Sequence, residues 1–388
     1  MTDNLPARSG NGAWSRRQFL KAVGGLGLTA AGMGLLEACG AKPDASGAAG
    51  GDLETTTIRI PLNSPGVGVC TAPLYMADEF LRAEGFTDIQ YLKAGPTLTV
   101  DTLAAGTTDI TLQYSGPSML YIDAGKPVTM LAGVHIGCFV LFGSQNVNEI
   151  HDLKGKTLAV AQLGGPDHVY LSVMLKIVDV DPVKDVTWTT LPLAQTKQLF
   201  TDGKIDAMLA FPPTAQELRA KQIGHVVVNS MVDKPWSDYF CCMVTVSQNF
   251  MQQYPRATKA ALRSILQATD ICATQPQRAA QFMVDKGFAA DYNYTVQAMQ
   301  EIPYNRWRQY NPEDTVRYYA LKLRDAGMIK SAPEDIIKHG TNWQFLDELK
   351  NEIPATPMPA GAFASPHNLL CNVNSNQITG AGRPRSAE

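Results

Sequence analysis

Hydrophobic and polar positions alternate with two different periods between residues 56 and 353. Short runs rich in β-branched residues, such as TTIRIPL at 56–62, are typical of strands, and apolar residues spaced three or four apart are typical of amphipathic helices. The segment 72–86 has the helical spacing, with Leu74, Ala77 and Leu81 on one face. Regular alternation of the two patterns predicts an α/β fold made of βα units around mostly parallel sheets.

The alternation restarts after residue 146 and continues to about residue 236, so one α/β unit is inserted into another. Two apolar segments, near 138–146 and 237–245, join the units and are expected to form the hinge, and glycines at 133–137 are expected to break the strand before the first of them. The predicted lobe 1 consists of 53–140 and 241–353, including C-terminal helices, and the predicted lobe 2 of 141–240. A cleft between the lobes is the expected place for a ligand.

The N-terminal segment 14–40 has a different pattern, in which Arg16 and Arg17 precede a glycine-rich apolar run that ends at Cys39. This layout is typical of an export signal, and the run is too short and too rich in glycine to span a bilayer well. SRRQFLK at 15–21 resembles a twin-arginine signal, which directs export of folded protein. LEAC at 36–39 resembles a lipoprotein cleavage site, which implies lipidation of Cys39; an ordinary soluble signal cut near residue 38 is the alternative.

These terminal patterns set the expected boundaries and location. Residues 1–38 are the predicted signal peptide, 39–52 a flexible tether rich in Gly and Ala, and 354–388 a disordered tail rich in Pro, Gly, Asn and Ser. The mature protein is therefore expected in the periplasm or on the outer face of the bacterial cell membrane. It is expected to touch the membrane only through a lipid anchor at Cys39.

The charge of the chain gives no indication of a nucleic-acid partner. The sequence contains 33 basic and 36 acidic residues, and removal of 1–38, with four basic and two acidic residues, leaves a net charge near −5. The Lys and Arg residues form no clustered stripe of the kind that binds phosphate backbones. No binding to nucleic acid is expected.

The cysteines have irregular spacing, and there is no C-x-x-C pair. An oxidising compartment permits disulfides, but this spacing predicts neither a disulfide framework nor a zinc site. The adjacent pair Cys241–Cys242 is compatible with a vicinal metal or redox site, whereas two small residues on a buried strand is the favoured interpretation. No metal and no cofactor are expected. Besides Cys39, the cysteines are Cys70, Cys138, Cys241, Cys242, Cys272 and Cys371.

Candidate binding residues follow from a general property of open α/β sheets. Ligands bind beyond the carboxyl ends of strands, where helix N-termini offer free N–H groups and a partial positive charge. Four segments meet this description: 63–71, 114–116, 162–168 and 210–213. The predicted ligand-binding residues are Asn63, Cys70, Thr71, Tyr114, Ser115, His135, Gln162, Gly164, Gly165, Asp167, His168, Phe211 and Tyr239.

The turn 162–168 is the most informative of these segments, because two glycines and a proline before a helix let the backbone approach a ligand closely. Asp167 opposes an anionic ligand there unless its carboxylate caps the helix. His135 and His168 are either ligand contacts or satisfied interior histidines. The rings of Tyr114, Phe211 and Tyr239 suit a planar heteroaromatic solute, and core packing is the alternative.

Several stretches, in this order, resemble a known family: APLYMADEFLRAEGF, VDTLAAGTTDITLQYSGPSMLYIDAGKPVTMLAG, IHDLKGKTLAVAQLGG and LFTDGKIDAMLAFPP. The chain resembles the substrate-binding proteins of ABC importers in the nitrate/sulfonate/taurine group (NMT1/THI5-like), which have the type II periplasmic-binding fold. The resemblance implies a monomeric, non-catalytic receptor that closes its lobes over an aliphatic sulfonate, taurine or nitrate. It would deliver the solute to a permease driven by a separate ATPase.

The turn 162–168 departs from this family, because relatives that bind anions tend to have Gly-Ser or Gly-Thr where this chain has Gly-Gly-Pro-Asp. A planar heterocycle, such as a pyrimidine precursor of thiamine, is therefore the alternative ligand. Two further alternatives are a pyrimidine-forming enzyme of the same fold, which uses pyridoxal phosphate, and a sensory or scavenging lipoprotein that works without a transporter.

Overall fold

The computed structural model describes residues 53–62, 68–93 and 98–355. The predictions for the export signal, Cys39, Asn63, Cys371 and the C-terminal tail lie outside the described residues. The described residues all belong to one compact unit, so the predicted lobe boundaries stay a prediction. No helix among the described residues is long and apolar enough to cross a membrane.

The strands lie close to the predicted positions. In chain order they are β1 (Thr57–Leu62), β2 (Asp88–Lys93), β3 (Ile110–Tyr114), β4 (Val128–Ile136), β5 (Val140–Gly143), β6 (Thr157–Val160), β7 (Thr187–Thr190), β8 (Ala207–Ala210), β9 (His225–Asn229) and β10 (Phe240–Ser247). The predicted strand break at 133–137 is wrong, because β4 continues through His135 and the interruption falls at 137–139.

Helices lie between most of the consecutive strands up to β10, except from β4 to β6 and from β9 to β10, and after β10 they follow one another without strands between them. They are α1 (Ala72–Met76), α2 (Asp78–Glu84), α3 (Thr99–Ala104), α4 (Ser115–Asp123), α5 (Pro166–Ile177), α6 (Leu193–Thr201), α7 (Thr214–Ala220), α8 (Gln248–Gln253), α9 (Pro255–Thr274), α10 (Pro276–Asp285), α11 (Tyr292–Glu301), α12 (Pro312–Asp325), α13 (Pro333–Gly340) and α14 (Gln344–Glu352). The predicted helix 72–86 is divided at Ala77 into α1 and α2.

The start of α12 shows why its sequence folds as predicted. Asn311 is the N-cap, and its side-chain oxygen accepts a hydrogen bond from the backbone N–H of Glu313 at 3.0 Å. Pro312 occupies the first turn, where its missing N–H costs nothing. Glu313 and Asp314 lie in the first turn and Lys322 and Arg324 in the last, so both ends complement the helix dipole.

The strands pair in four small sheets of mixed direction. The pairs β1–β2 and β6–β7 are parallel, as predicted. The three-stranded sheets have the orders β3-β10-β4 and β8-β5-β9, and their central strands run antiparallel to both neighbours. The prediction of mostly parallel sheets is therefore wrong for these two sheets, because β5 and β10 enter them directly from the connections between the two α/β units.

The connections between the units, which we call the crossing segments (137–139 and 230–239), lie against each other. The hydroxyl of Ser230 accepts hydrogen bonds from the backbone N–H groups of Cys138 and Phe139 and donates to the carbonyl oxygen of Phe139 at 2.8 Å. Gly137 has φ of +50°, and a Cβ at this position would clash with the backbone of Met231. A glycine is required here both for the conformation and for the close approach.

The helices that follow β10 pack around the first unit, whose central strand is β10, and complete one continuous core. Helix α9 begins with Pro255 and packs one face against α1 and α2. The ion pair between Arg263 of α9 and Glu84 of α2 joins these helices at 2.6 Å. Helix α9 also contacts β4, and α4, which follows β3 directly, packs against β4 and β10.

Candidate functional site

Five aromatic side chains meet where α4 approaches α5, and we call them the aromatic cluster: Tyr114, Phe139, Tyr170, Phe211 and Tyr319. They come from the end of β3, the first crossing segment, α5, the residue after β8, and α12. Phe139 stacks on Tyr170 with ring centroids 4.1 Å apart and lies 5.0 Å from Phe211. Tyr114 approaches Phe139, Tyr170 and Tyr319 edge to face at 5.2 to 5.8 Å. Residues from both α/β units thus contribute to one aromatic surface.

Three hydroxyl groups at this cluster have no hydrogen-bond partner within the part of the chain that the structure describes. They are the phenol oxygens of Tyr114 and Tyr170 and the side-chain oxygen of Ser115, and all three residues are buried. Burial holds the pKa of Tyr114 well above its ordinary value, so the phenol keeps its proton. A buried hydroxyl without a partner loses free energy, and a ligand that bonds to it recovers that loss.

The N-termini of α4 and α5 lie close together at Gly116. A Cβ on this residue would come within 2.6 Å of both the Tyr114 ring and the Val169 side chain of α5. The helix N-termini carry partial positive charge and free N–H groups. Glycine at position 116 therefore allows the two units to approach each other at the aromatic cluster.

The carboxylate of Asp167 offsets the partial positive charge at the N-terminus of α5. Asp167 is buried, and its two oxygens accept hydrogen bonds from the N–H groups of Ala161 at 2.5 Å and His168 at 2.9 Å. Burial raises the pKa of Asp167 above its ordinary value, although these hydrogen bonds oppose the shift. The carboxylate thus holds the turn in shape and leaves little positive potential for a second anion at this helix end.

His168 holds the other side of the same turn. Its Nδ1 accepts a hydrogen bond from the N–H of Gly164 at 3.0 Å, and its ring lies edge to face with Trp188 at 4.6 Å. Burial lowers the pKa of His168, which favours the neutral ring that this acceptor role requires. Gly164 has φ of +77°, and a Cβ on Gly165 would lie 2.9 Å from the carbonyl oxygen of Gln162. Both glycines are needed for the turn.

His135 lies on β4 and is fully buried away from the turn. Its Nδ1 lies 3.3 Å from the carbonyl oxygen of Ile136 and its Nε2 lies 3.2 Å from that of Cys70. Both ring nitrogens are therefore occupied by the backbone, as in the interior alternative. Burial lowers the pKa of His135, but the neighbouring Cys242 sulfur and the two carbonyl oxygens outweigh it, and the net pKa is raised.

Four buried cysteines surround His135 and the base of the aromatic cluster, and we call them the thiol cluster: Cys70, Cys138, Cys241 and Cys242. The sulfur atoms of Cys138 and Cys241 lie 2.9 Å apart. Hydrogen bonds from the thiols of Cys138, Cys241 and Cys70 hold the pKa of Cys242 well below its ordinary value. Burial raises the pKa of Cys138 and Cys241. The thiol of Cys242, next to His135, therefore loses its proton more readily than the other thiols of the cluster.

The other predicted residues lie at the margins of this region. The hydroxyl of Thr71 donates to the carbonyl oxygen of Gly68 at 3.0 Å. Tyr239 stacks on Tyr318 at 4.0 Å and contacts the aromatic cluster through Tyr319 at 6.1 Å. Two surface grooves, of about 660 and 550 Å³, are lined by none of the predicted ligand-binding residues. The structure therefore brings most of those residues to the buried region between α4, α5 and the crossing segments.

Sequence reasoning did not identify Phe139, Tyr170, Tyr319 and Cys138 as part of this region. Tyr170 lies two residues after His168, so the turn before α5 indicated its neighbourhood. Cys138 and Phe139 follow Gly137. Their position was not predicted, because the expected strand break lay at 133–137, whereas in the structure it lies at 137–139. Tyr319 lies on α12, and nothing in the local sequence pattern of this helix indicates a contact with β3.

The chain is similar in sequence to a curated binding protein. It is 22% identical over 248 residues to the nitrate/nitrite binding protein NrtA of Nostoc sp. (strain PCC 7120), in an alignment that covers 57% of this chain and 54% of that protein. The chain thus matches about half the length of this curated relative.

Solved structures with the same fold cover more of the chain. The periplasmic nitrate-binding protein NrtA from Synechocystis PCC 6803 has a TM-score of 0.66 at 16% identity, covering 81% of this chain and 92% of that one. The alkanesulfonate-binding protein SsuA from Xanthomonas axonopodis pv. citri, bound to MOPS, has a TM-score of 0.57 at 16% identity, covering 71% and 95%. A Candida albicans gene product described as having the generic periplasmic binding protein fold has a TM-score of 0.59 at 13% identity, covering 74% and 96%.

These likenesses confirm the predicted periplasmic-binding fold. The sequence profile of the NMT1-like family matches residues 69–284, which include β3, the thiol cluster and the turn before α5. The match covers more than half of the chain. The protein therefore belongs to the NMT1-like family.

Proposed function

We propose that this protein is an extracytoplasmic solute-binding receptor of an ABC importer, without catalytic activity of its own. The observation that carries the proposal is the meeting of α4 and α5, from the two α/β units, over an aromatic cluster with unpartnered hydroxyls. A solute bound there contacts both units and stabilises their closed arrangement. The NMT1-like family and the similarity to nitrate- and sulfonate-binding proteins support this role.

The receptor delivers its solute to a permease with a separate ATPase, as a monomer outside the cytoplasm. The predicted anchor at Cys39 would keep it at the outer face of the membrane. Replacement Cys39→Ala should release the protein into the soluble fraction of cell extracts, as measured by immunoblotting of membranes and supernatant. Retention of the variant on membranes contradicts the anchor, and Cys371→Ala serves as the matched control.

The side chains around the site favour an uncharged planar ring over a sulfonate, taurine or nitrate. Asp167 already occupies the N-terminus of α5, and none of the ion pairs among the described residues joins a Lys or Arg to its carboxylate. Aromatic faces stack on flat solutes, and neutral hydroxyls donate to ring nitrogens or carbonyl oxygens. The solute proposed here is a small nitrogen heterocycle with hydrogen-bond acceptors, such as a pyrimidine.

A thermal-shift panel on the mature chain tests this proposal. A solute at about 100 times its Kd stabilises the folded state by about 2.7 kcal/mol, which corresponds to a rise in Tm of roughly 5 °C or more. We expect pyrimidines to raise the Tm, and alkanesulfonates, taurine and nitrate to leave it unchanged. A shift with sulfonates alone would contradict the heterocycle assignment and keep the receptor; no shift with either group, confirmed by calorimetry, would contradict this site as a solute site.

A further inference from the structure

The thiol cluster brings together cysteines from three separate parts of the chain. Cys138 lies in the first crossing segment, Cys241 and Cys242 lie at the start of β10, and Cys70 lies in the turn 69–71. The sulfur atoms of Cys138, Cys241 and Cys242 all lie within 4.8 Å of one another. All four residues are buried, with at most 5% of each exposed. Three sulfurs this close can reach one metal ion if the 2.9 Å contact between Cys138 and Cys241 opens to about 3.8 Å, the separation of two sulfurs on a tetrahedral zinc.

Adjacent residues of a regular strand point to opposite faces of the sheet, so Cys241 and Cys242 would not normally meet the same partner. The pairing of β10 with β4 is irregular at this point, because Phe240 pairs with Ile136 and Cys242 with His135. The extra residue between these two pairs is Cys241, as in a β-bulge, which redirects side chains. The bulge therefore brings both sulfurs of β10 to Cys138.

The backbone occupies both ring nitrogens of His135 beside these thiols. A carbonyl oxygen lies within 3.3 Å of each ring nitrogen, that of Ile136 at Nδ1 and that of Cys70 at Nε2. A metal could approach either nitrogen only by displacing one of these carbonyl groups. His135 therefore lies next to Cys242 and is not counted among the ligands.

We propose that Cys138, Cys241 and Cys242 bind a single thiophilic metal ion, Zn²⁺. Thiolate ligands select zinc or Cu⁺ among the common ions. Zn²⁺ on three thiolates leaves one buried negative charge, whereas Cu⁺ in the same place leaves two, so the divalent ion is favoured. Binding transfers the remaining thiol protons to solvent and needs no oxidant.

The position of this site gives the metal a structural consequence. Cys138 belongs to the first crossing segment, and Cys241 is the second residue of the strand that follows the second crossing segment. A bound ion would therefore tie both crossing segments to the base of the aromatic cluster. The predicted twin-arginine route exports folded protein, so the ion would be bound in the cytoplasm, where thiols stay reduced.

Elemental analysis of the full chain, purified from the cytoplasm under reducing conditions, tests the site. We expect about one Zn²⁺ per chain, and replacement by Co²⁺ should give the thiolate-to-metal charge-transfer absorption of a sulfur-rich site. Alkylation of thiols in the folded protein should be slow with metal and faster after chelation. Cys242→Ala should lose the metal and the absorption, whereas Cys272→Ala, a buried cysteine outside the cluster, should keep both.

Three results would overturn the proposal. Wild-type protein that takes up neither Zn²⁺ nor Co²⁺ while folded, as judged by circular dichroism, excludes the site even if Cys242→Ala does not fold. Retention of Cu⁺ and not Zn²⁺ excludes the zinc assignment. Mass spectrometry that finds a Cys138–Cys241 disulfide in the freshly purified protein, with no metal, shows that these thiols pair by oxidation instead.

Discussion

His168 links the geometry of the turn 162–168 to pH. Its neutral ring accepts the N–H of Gly164, and protonation of Nδ1 would remove that acceptor. Burial holds the pKa of His168 below its ordinary value of about 6.5, so the unfolded chain binds this proton more readily than the folded protein does. The stability that His168 contributes is therefore present above about pH 6.5 and is lost as the pH falls below it.

Replacement His168→Gln tests this sign. The Gln side-chain oxygen accepts from Gly164 without titrating, so we expect the Tm of the variant to fall less than that of the wild type between about pH 7.5 and 5.5. The other histidines are common to both proteins, and the difference isolates His168. Equal losses of Tm in the two proteins would contradict the role of His168 in the turn.

Asp270 is a second residue whose burial determines how much its interactions contribute to stability. Its carboxylate accepts from the indole N–H of Trp307 at 2.8 Å and from both terminal nitrogens of Arg308 at 2.8 and 2.9 Å, and it is 7% exposed. Asp270→Ala leaves these donors without that acceptor and should lower the free energy of unfolding by about 3 kcal/mol. Urea denaturation measures the loss.

The exposed pair Arg317–Glu334 is the matched comparison for Asp270. The pair has a similar distance, 2.6 Å, but its side chains are 45% and 68% exposed. Glu334→Ala should cost less than about 1 kcal/mol, because water screens the pair and replaces it. A loss for Asp270→Ala no larger than this would show that the buried network carries little of the stability.

The residues that sequence reasoning identified are those for which a local rule exists. Tyr114 and Ser115 lie where a strand ends and a helix begins, and this position predicted them as binding residues. Asn311 precedes Pro312, and this pattern predicted Asn311 as a helix cap. The thiol cluster has no such rule, because Cys70, Cys138 and Cys241 are brought together only by the fold and by a bulge in β10. Sequence spacing therefore predicted neither a cluster nor a metal site.

At the scale of elements, the crossing segments depend on a glycine. Gly137→Ala would place a methyl group against the backbone of Met231 as well as straining a positive φ, and should lower the free energy of unfolding by about 2 kcal/mol or more. Chemical denaturation of the variant measures this loss.

Gly155→Ala is the control, because Gly155 also has a positive φ, +77°, but a methyl group added there would have no atom within 4 Å. Strain alone should cost this variant about 1 kcal/mol. Equal costs at the two positions would show that the crossing segments do not need their close approach.

Periodicity predicted the elements well and their pairing less well. Burial of one face sets the spacing of apolar residues, so this spacing predicted the strands and helices along the chain. The direction of β5 and β10 depends on the connections between the two units, which leave no local signal. The kink at Ala77 likewise leaves the apolar face of 72–86 intact, and its sequence gave no indication of a division.

For the whole molecule, solute binding and closure should depend on Gly116. The added methyl group of Gly116→Ala would lie 2.6 Å from the Val169 side chain, across the approach of α4 to α5. The clash with Tyr114 and Val169 should lower the Tm of the free variant, and we expect the variant also to lose most of the solute-induced rise above its own Tm. Small-angle scattering with and without the solute that gives the largest shift should show compaction of the wild type only.

Gly125→Ala, at the other end of α4, has no atom within 4 Å of its added methyl group and serves as the control. A full solute response in Gly116→Ala would contradict closure at this point. Loss of the response in both variants would instead indicate a general effect on α4.

The order of strands in the first unit also sets the order in which the protein can assemble during synthesis. Among the described residues, the strands β3 and β4 pair not with each other but with β10, which follows them by more than one hundred residues. The ribosome must therefore synthesise the whole second unit before the sheet of the first unit can form. Until then the apolar strands β3 and β4 have edges without a pairing strand. Sec-type threading of an unfolded chain would prolong that interval outside the cytoplasm, whereas export after folding confines it to the compartment that holds the general chaperones.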